Sequence, residues 1–147
     1  MSNTPPLRKF KSVEECRKYF EEKYCKEDLI TFDNIAVRFY PEKFDDAFFE
    51  SKNKKERDKS IFSIKRAERI DWIEYVLKSE EAELYVGWNR DKKEYRKDRR
   101  IAIISPENYV VIITLLKDNN AKFITAYLAD SPNTAKLIRN NPKWTKK

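Results

Sequence analysis

The chain has 147 residues, of which 40% are hydrophobic and 39% charged, with a net charge of +7 and no histidine. This length suits one core, so we expect residues 1–147 to form a single domain. The lack of histidine excludes histidine zinc sites and Ser-His or Cys-His catalysis, and no apolar run approaches the 18 residues of a membrane-spanning helix.

The excess of positive charge, with a pI near 9.3, favours a polyanionic partner through direct attraction and counterion release. The alternative is a basic surface that binds nothing. The first stretch, "MSNTPPLRKFKS", lacks the apolar segment of a secretory signal, and its prolines indicate an extended lead-in over residues 1–11. Cys16 and Cys25 lie on opposite faces of one predicted helix, so we expect free thiols in a reducing cytoplasm.

The first predicted helix covers residues 12–25, with Ser12 as its N-cap and Glu15 completing a capping box. The stretch "LITFDNIAVRFYPEKF" follows and predicts two short extended pieces joined by a turn at Asp33-Asn34. A charged loop is expected next, over residues 51–59.

The second half of the chain predicts a helix over residues 63–78 and then mostly strands. The expected strands occupy residues 82–88, 99–105, 109–116 and 121–129. A short closing helix begins at Ser131-Pro132. We therefore expect an α+β fold, with N-terminal helices packed on a four-stranded twisted antiparallel sheet and a short C-terminal helix.

Two arginines fall inside the apolar stripe of the predicted helix 63–78. Arg66 and Arg69 share that stripe with alanine, isoleucine, valine and leucine, while most other charges take the opposite side. Their aliphatic stems can pack on the core with the guanidinium groups at its edge, paired with Asp45, Asp46 or Glu50. Alternatively, the two side chains project side by side, three residues apart, and grip the oxygens of one phosphate.

The last predicted strand offers aromatic side chains near these arginines. Strict alternation places Phe123, Thr125 and Tyr127 on one face, and Tyr85 can join them from another strand. If exposed, these rings form a base-stacking platform. If that face is buried, they belong to the core.

The segments "FSIKRAERIDWIEYVL", "EAELYVGW", "RRIAIISPENYVVIITL" and "AKFITAYLADS" resemble the phage-associated branch of the barnase/EndoU/colicin/RelE-like nuclease superfamily. The resemblance extends from about Phe44 to Trp144. It implies helices followed by a four-stranded antiparallel sheet, in agreement with the elements above. It also implies cofactor-independent, metal-independent cleavage of RNA, often tRNA, in toxin or phage-associated proteins of the bacterial cytoplasm.

In such cleavage a base removes the ribose 2′-proton, the oxygen attacks phosphorus, and an acid protonates the leaving 5′-oxygen. The resemblance implies that Arg66 and Arg69 hold the phosphate, and that Thr125 and Tyr127 orient it or exchange protons. Lys65, Tyr85 and Phe123 are the expected substrate-binding residues.

Asp46 stands where similar sequences carry a histidine. An aspartate can act as a base, but near the arginines it can also neutralise them. The sequence therefore predicts a ribonuclease, with a catalytically inactive module that binds RNA or protein as the alternative. The expected partners are RNA and either a cognate inhibitor or a phage structural protein, with no membrane.

Overall fold

The computed structural model describes residues 4–50, 61–86, 88–89, 94–95, 100–129 and 131–144. Five helices lie within these ranges, namely α1 (Val13–Tyr24), α2 (Lys43–Phe48), α3 (Ile64–Glu68), α4 (Ile70–Lys78) and α5 (Pro132–Arg139). The predicted charged loop 51–59 lies outside the described residues.

The first helix forms as its sequence predicts. The Ser12 hydroxyl accepts a hydrogen bond from the Glu15 amide at 3.1 Å, which satisfies one of the amides that a helix start leaves unpaired. Cys16, Phe20 and Tyr24 follow at four-residue spacing and are all buried. This spacing keeps the three side chains on one face, which packs into the core.

The main sheet has six strands instead of the four expected, and it is mixed instead of purely antiparallel. Its spatial order is β1-β2-β10-β9-β8-β5. The six strands are β1 (Leu29–Ile30), β2 (Ala36–Arg38), β5 (Glu83–Val86), β8 (Arg100–Ile104), β9 (Tyr109–Leu115) and β10 (Asn120–Leu128). Two separate ribbons pair β3 (Phe49–Glu50) with β4 (Ile61–Phe62), and β6 (Trp88–Asn89) with β7 (Glu94–Tyr95). The α+β class is therefore right, whereas the strand count and sheet type were wrong.

The predicted antiparallel meander is nevertheless present inside this sheet, as β5-β8-β9-β10. The two extra strands come from the short extended pieces near residue 34. They pair with each other antiparallel, and β2 then pairs parallel to the first three residues of β10. This parallel pairing joins segments more than 80 residues apart, and local patterns carry no information about such a contact.

The turns within the sheet use residues suited to a left-handed backbone. Asn34, in the predicted turn between β1 and β2, has a φ of 66°. Asp118 and Asn119, between β9 and β10, have φ values of 59° and 61°, which is the pattern of a two-residue hairpin turn.

The main core lies between one face of the sheet and the helices. We call this the main-core face; it carries Ile101, Val111 and Phe123, and α1, α2 and α4 contribute to the same buried cluster. The opposite face, here the second face, carries a smaller buried cluster that includes Ala102, Ile104 and Val110 together with Ala135 of α5. The closing helix therefore covers part of the second face.

The predicted helix 63–78 is broken at Arg69. Its backbone has φ −102° and ψ 20°, so α3 ends before Arg69 and α4 begins after it. The start of α3 is capped by Ser63, whose hydroxyl accepts from the Arg66 amide at 3.2 Å. No glycine or proline marks this break in the sequence. The apolar stripe nevertheless continues across it, since Ala67, Ile70, Ile73, Val76 and Leu77 are all buried in the main core.

A β-bulge at Ile124 changes the expected face of the last strand. Phe123 lies opposite Ile113, and Thr125 lies opposite the adjacent residue, Ile112. Because one residue is left unpaired, the alternation of faces shifts by one. Phe123 therefore belongs to the main-core face, whereas Tyr127 packs against the cluster of the second face. The prediction that Phe123, Thr125 and Tyr127 share one face was wrong.

Candidate functional site

Arg66 lies at the edge of β10, where α3 passes the end of α2. Its guanidinium Nη1 donates to the carbonyl oxygen of Ala47 at 3.4 Å. Its Cζ atom lies 5.7 Å from the centre of the Tyr127 ring. The half-buried arginine in the apolar stripe thus contacts both a helix end and an aromatic ring.

Thr125 contacts the same end of α2 from the strand. Its hydroxyl donates to the carbonyl oxygen of Asp46 at 3.1 Å. Carbonyl groups in the last turn of a helix lack partners within the helix, and here Thr125 and Arg66 supply them. We call the group formed by Arg66, Thr125, Tyr127 and these two carbonyls the edge cluster.

Tyr127 is the titratable hydroxyl of the edge cluster. Burial raises the pKa of Tyr127, and the positive charge of Arg66 opposes that rise only in part. The phenol therefore keeps its proton at neutral pH, and it can donate that proton but is a poor base. An acid next to a guanidinium group is suited to an anionic ligand whose leaving group must be protonated.

Tyr109 is a further tyrosine near both arginines, and sequence reasoning did not single it out. It is fully buried, and burial raises its pKa while the charges of Arg66 and Arg69 act in the opposite direction. Its ring meets that of Trp72 edge to face at 5.5 Å. In the sequence, Tyr109 is the first residue of the apolar run "YVVIITLL". No local signal distinguishes it from an ordinary residue of a buried strand.

Arg69 contacts residues outside the edge cluster. Its Nη1 donates to the Lys65 carbonyl oxygen at 2.9 Å, and its Cζ lies 5.2 Å from the centre of the Trp72 ring. Its Nε is buried without a hydrogen-bond partner among the described atoms. The break in the helix falls at Arg69, and the two guanidinium groups donate to different carbonyl oxygens.

Two of the carboxylates proposed as partners of these arginines pair with other residues, and the side chain of the third, Glu50, lies outside the described part of the chain. Asp45 pairs with Arg17 at 2.9 Å, and Asp46 with Lys43 at 3.7 Å. The Asp46 side chain is 51% exposed, so its carboxylate is open to solvent while its carbonyl belongs to the edge cluster. In the described part of the chain, no carboxylate lies within ion-pairing distance of Arg69.

The remaining predicted binding residues are divided between the surface and the core. Lys65 is exposed on α3. Phe123 is completely buried, and its ring stacks on Phe39 with centroids 4.8 Å apart. Tyr85 is 3% exposed and belongs to the cluster of the second face, where burial raises its pKa. Neither Phe123 nor Tyr85 presents a ring face on which a base can stack.

The chain was also compared with known proteins. No family model, curated protein or solved structure matches it. Among the described residues, no helix is long and apolar enough to cross a membrane. Nor do three potential metal-ligating side chains converge in that part of the chain.

Proposed function

We propose that this protein acts on RNA as a metal-independent ribonuclease of the nuclease superfamily that its sequence resembles, with the edge cluster as the centre of the reaction. The observation that carries the proposal is the contact between Arg66 and Tyr127, with the Arg66 Cζ 5.7 Å from the ring centre. This contact places the permanently charged guanidinium of Arg66 beside the phenol of Tyr127, which stays protonated at neutral pH.

Each group has a role in cleavage by the 2′-oxygen. Arg66 faces the non-bridging oxygens of the phosphate and stabilises the charge that builds up as the 2′-oxygen attacks. Tyr127 donates its proton to the departing 5′-oxygen. Thr125 holds the end of α2 against the strand. The exposed carboxylate of Asp46 accepts the 2′-proton, and the products are a 2′,3′-cyclic phosphate and a free 5′-hydroxyl.

A second candidate function is a non-catalytic module that binds RNA on the same surface. Two observations favour it. Arg69 contacts Trp72 and the Lys65 carbonyl instead of the edge cluster, and the Asp46 carboxylate lies beside Lys43. Phosphate binding needs only the cations, whereas cleavage also needs a base in reach of the ribose.

Cleavage of a tRNA pool in EDTA tests the two candidates. The matched variants are Tyr127→Phe and Tyr75→Phe, because each removes one phenol hydroxyl and Tyr75 packs against the main core, on the other side of the sheet. We expect Tyr127→Phe to slow cleavage by about 10²-fold or more, the usual contribution of a general acid. Tyr75→Phe should cleave like the unmodified protein.

Analysis of the product ends completes this test. A 2′,3′-cyclic phosphate in the products of the unmodified protein supports the proposed chemistry. Equal cleavage by Tyr127→Phe would exclude Tyr127 as the acid. If the unmodified protein binds RNA but forms no product, the non-catalytic module would be the remaining candidate. If it neither binds nor cleaves RNA, a function on RNA would be excluded.

A further inference from the structure

A row of basic and polar side chains crosses four neighbouring strands of the sheet in register. Lys122 of β10 lies opposite Arg38 of β2 on one side and opposite Thr114 of β9 on the other. Thr114 in turn lies opposite Arg100 of β8. We call these four residues the basic row. At about 4.8 Å between strands, it extends over about 14 Å.

The basic row lies on the second face of the sheet. Val37, Ile101, Ile113 and Ala121 are its immediate neighbours in sequence, and all belong to the main core. Because successive side chains of a strand alternate between faces, the row points to the opposite side. Along β9, Thr114 lies four residues beyond Val110, whose cluster α5 covers. The row therefore lies farther along the strands than the buried cluster that α5 covers.

The charges of the row are only partly neutralised by the protein. The Arg38 Nε pairs with Asp28 at 3.2 Å, and the Arg38 side chain is 61% exposed. No carboxylate in the described ranges lies within ion-pairing distance of Lys122 or Arg100. Like charges opposite each other on adjacent strands destabilise a sheet. The repulsion between Arg38 and Lys122 therefore lowers the stability of the sheet, and a bound anion would remove this repulsion.

A cavity opens at the β2 end of the row. It has a volume of about 340 Å³. Its lining includes two basic side chains, Arg38 and Lys117, two carboxylates, Asp28 and Asp118, and also Ala36 and Asn120. Ala36 and Asn120 lie opposite each other, two residues before Arg38 and Lys122. They therefore share the face of the row. The volume falls in the range of small-ligand sites and accommodates a single nucleobase or ribose.

We infer that the basic row binds the phosphodiester backbone of single-stranded RNA, with one nucleotide entering the cavity beside Arg38. The choice of RNA rests on the proposed function, and the row adds a surface on the second face, to which Tyr127 also belongs. A row of cations across neighbouring strands suits a single strand, since successive phosphates can follow the row while bases lie on the sheet.

The test measures binding of a 20-nucleotide oligouridine with 2′-O-methyl riboses, which cannot be cleaved because the attacking oxygen is blocked. Fluorescence anisotropy against KCl concentration gives the affinity and its salt dependence. The test variant is Arg100→Gln with Lys122→Gln. The control is Lys18→Gln with Lys136→Gln, which removes the same charge from exposed positions on α1 and α5.

Each phosphate contact contributes about 0.7 to the slope of log affinity against log salt for single strands. We therefore expect the row variant to lower the slope by about 1.4 and the affinity at 0.1 M salt by about 25-fold. The control variant should keep the slope of the unmodified protein. Matching thermal midpoints of all three proteins would show that the variants fold.

Equal losses in the row and control variants would overturn the proposal, and so would unchanged binding by the row variant. Equal affinity for a duplex of the same length would overturn the assignment to a single strand. Row-dependent binding without cleavage of an unmodified strand would refute only the catalytic proposal. If cleavage depends on Tyr127 while the row variant binds and cleaves like the unmodified protein, only the role of the row would be refuted.

Discussion

The buried hydroxyl of Tyr24 donates to the carbonyl oxygen of Ile70 at 2.6 Å and accepts from the amide of Glu74 at 3.3 Å. These two backbone groups are four residues apart, so they are the normal hydrogen-bond partners in the first turn of α4. Tyr24 at the end of α1 thus fixes the start of α4 directly after the break at Arg69.

We expect Tyr24→Phe to lower the free energy of unfolding by about 1 kcal/mol, the net value of a typical hydrogen bond. The loss stays moderate because the Ile70 carbonyl and the Glu74 amide can bond to each other. Urea unfolding at neutral pH measures it. Tyr40→Phe, at a half-buried position, should change stability by less than about 0.5 kcal/mol. Equal values for the two variants would contradict this role of Tyr24.

Asp71 of α4 accepts hydrogen bonds from the hydroxyl of Tyr19 and from the Arg8 Nε at 2.9 Å, and lies 3.3 Å from the Lys23 Nζ. Burial acts to raise its pKa, but the bonds from Tyr19 and Arg8 with the charge of Lys23 outweigh burial and lower it. We expect Asp71→Asn to cost about 1–3 kcal/mol at pH 7, because these donors lose a charged acceptor.

The lowered pKa also sets the pH dependence of this loss. A carboxyl with a depressed folded-state pKa stabilises the protein above its ordinary pKa of about 4, and this contribution disappears as pH falls through the folded value. The difference between the unmodified protein and Asp71→Asn should therefore shrink below about pH 4. Asp45→Asn, which removes a 60% exposed carboxylate, should cost less than about 1 kcal/mol. A difference that is constant from pH 7 to pH 3 would refute the role of the Asp71 charge.

We expect Phe123→Ala to lower the free energy of unfolding by about 3–5 kcal/mol, the usual range for a large side chain lost from a core. Regular alternation with Ala121 places Phe123 on the main-core face, where its ring meets those of Phe39 and Phe20. Leu137→Ala, at a 60% exposed position of α5, provides the comparison and should change stability by about 0.5 kcal/mol or less. A similarly small effect of Phe123→Ala would contradict the burial of its ring against Phe39.

Local sequence signals predicted the elements that depend on local contacts. Ser12 and the four-residue spacing after it determine α1. The asparagines at the turns tolerate the left-handed backbone that connects neighbouring strands. The meander followed from these turns, and its strand bounds agree with the predicted ones to within about two residues at most ends.

The errors concern features that depend on distant contacts. No residue type marks the break at Arg69 or the bulge at Ile124, because packing against α1 and β9 determines both. The bulge shifts the alternation of faces by one residue for the rest of β10. The edge cluster was partly predicted, since Arg66, Thr125 and Tyr127 do meet. The basic row was missed, because Arg38 and Lys122 are adjacent only through the parallel pairing.

That pairing also constrains how the chain can fold during synthesis. The strand Ala36–Arg38 leaves the ribosome early, but its partner Asn120–Lys122 is made more than 80 residues later. Domains generally fold as units, and unpaired strand edges are prone to aggregation until then. A ribosome stalled before residue 120 would therefore hold a nascent chain with an exposed hydrogen-bonding edge, a natural target for a holding chaperone.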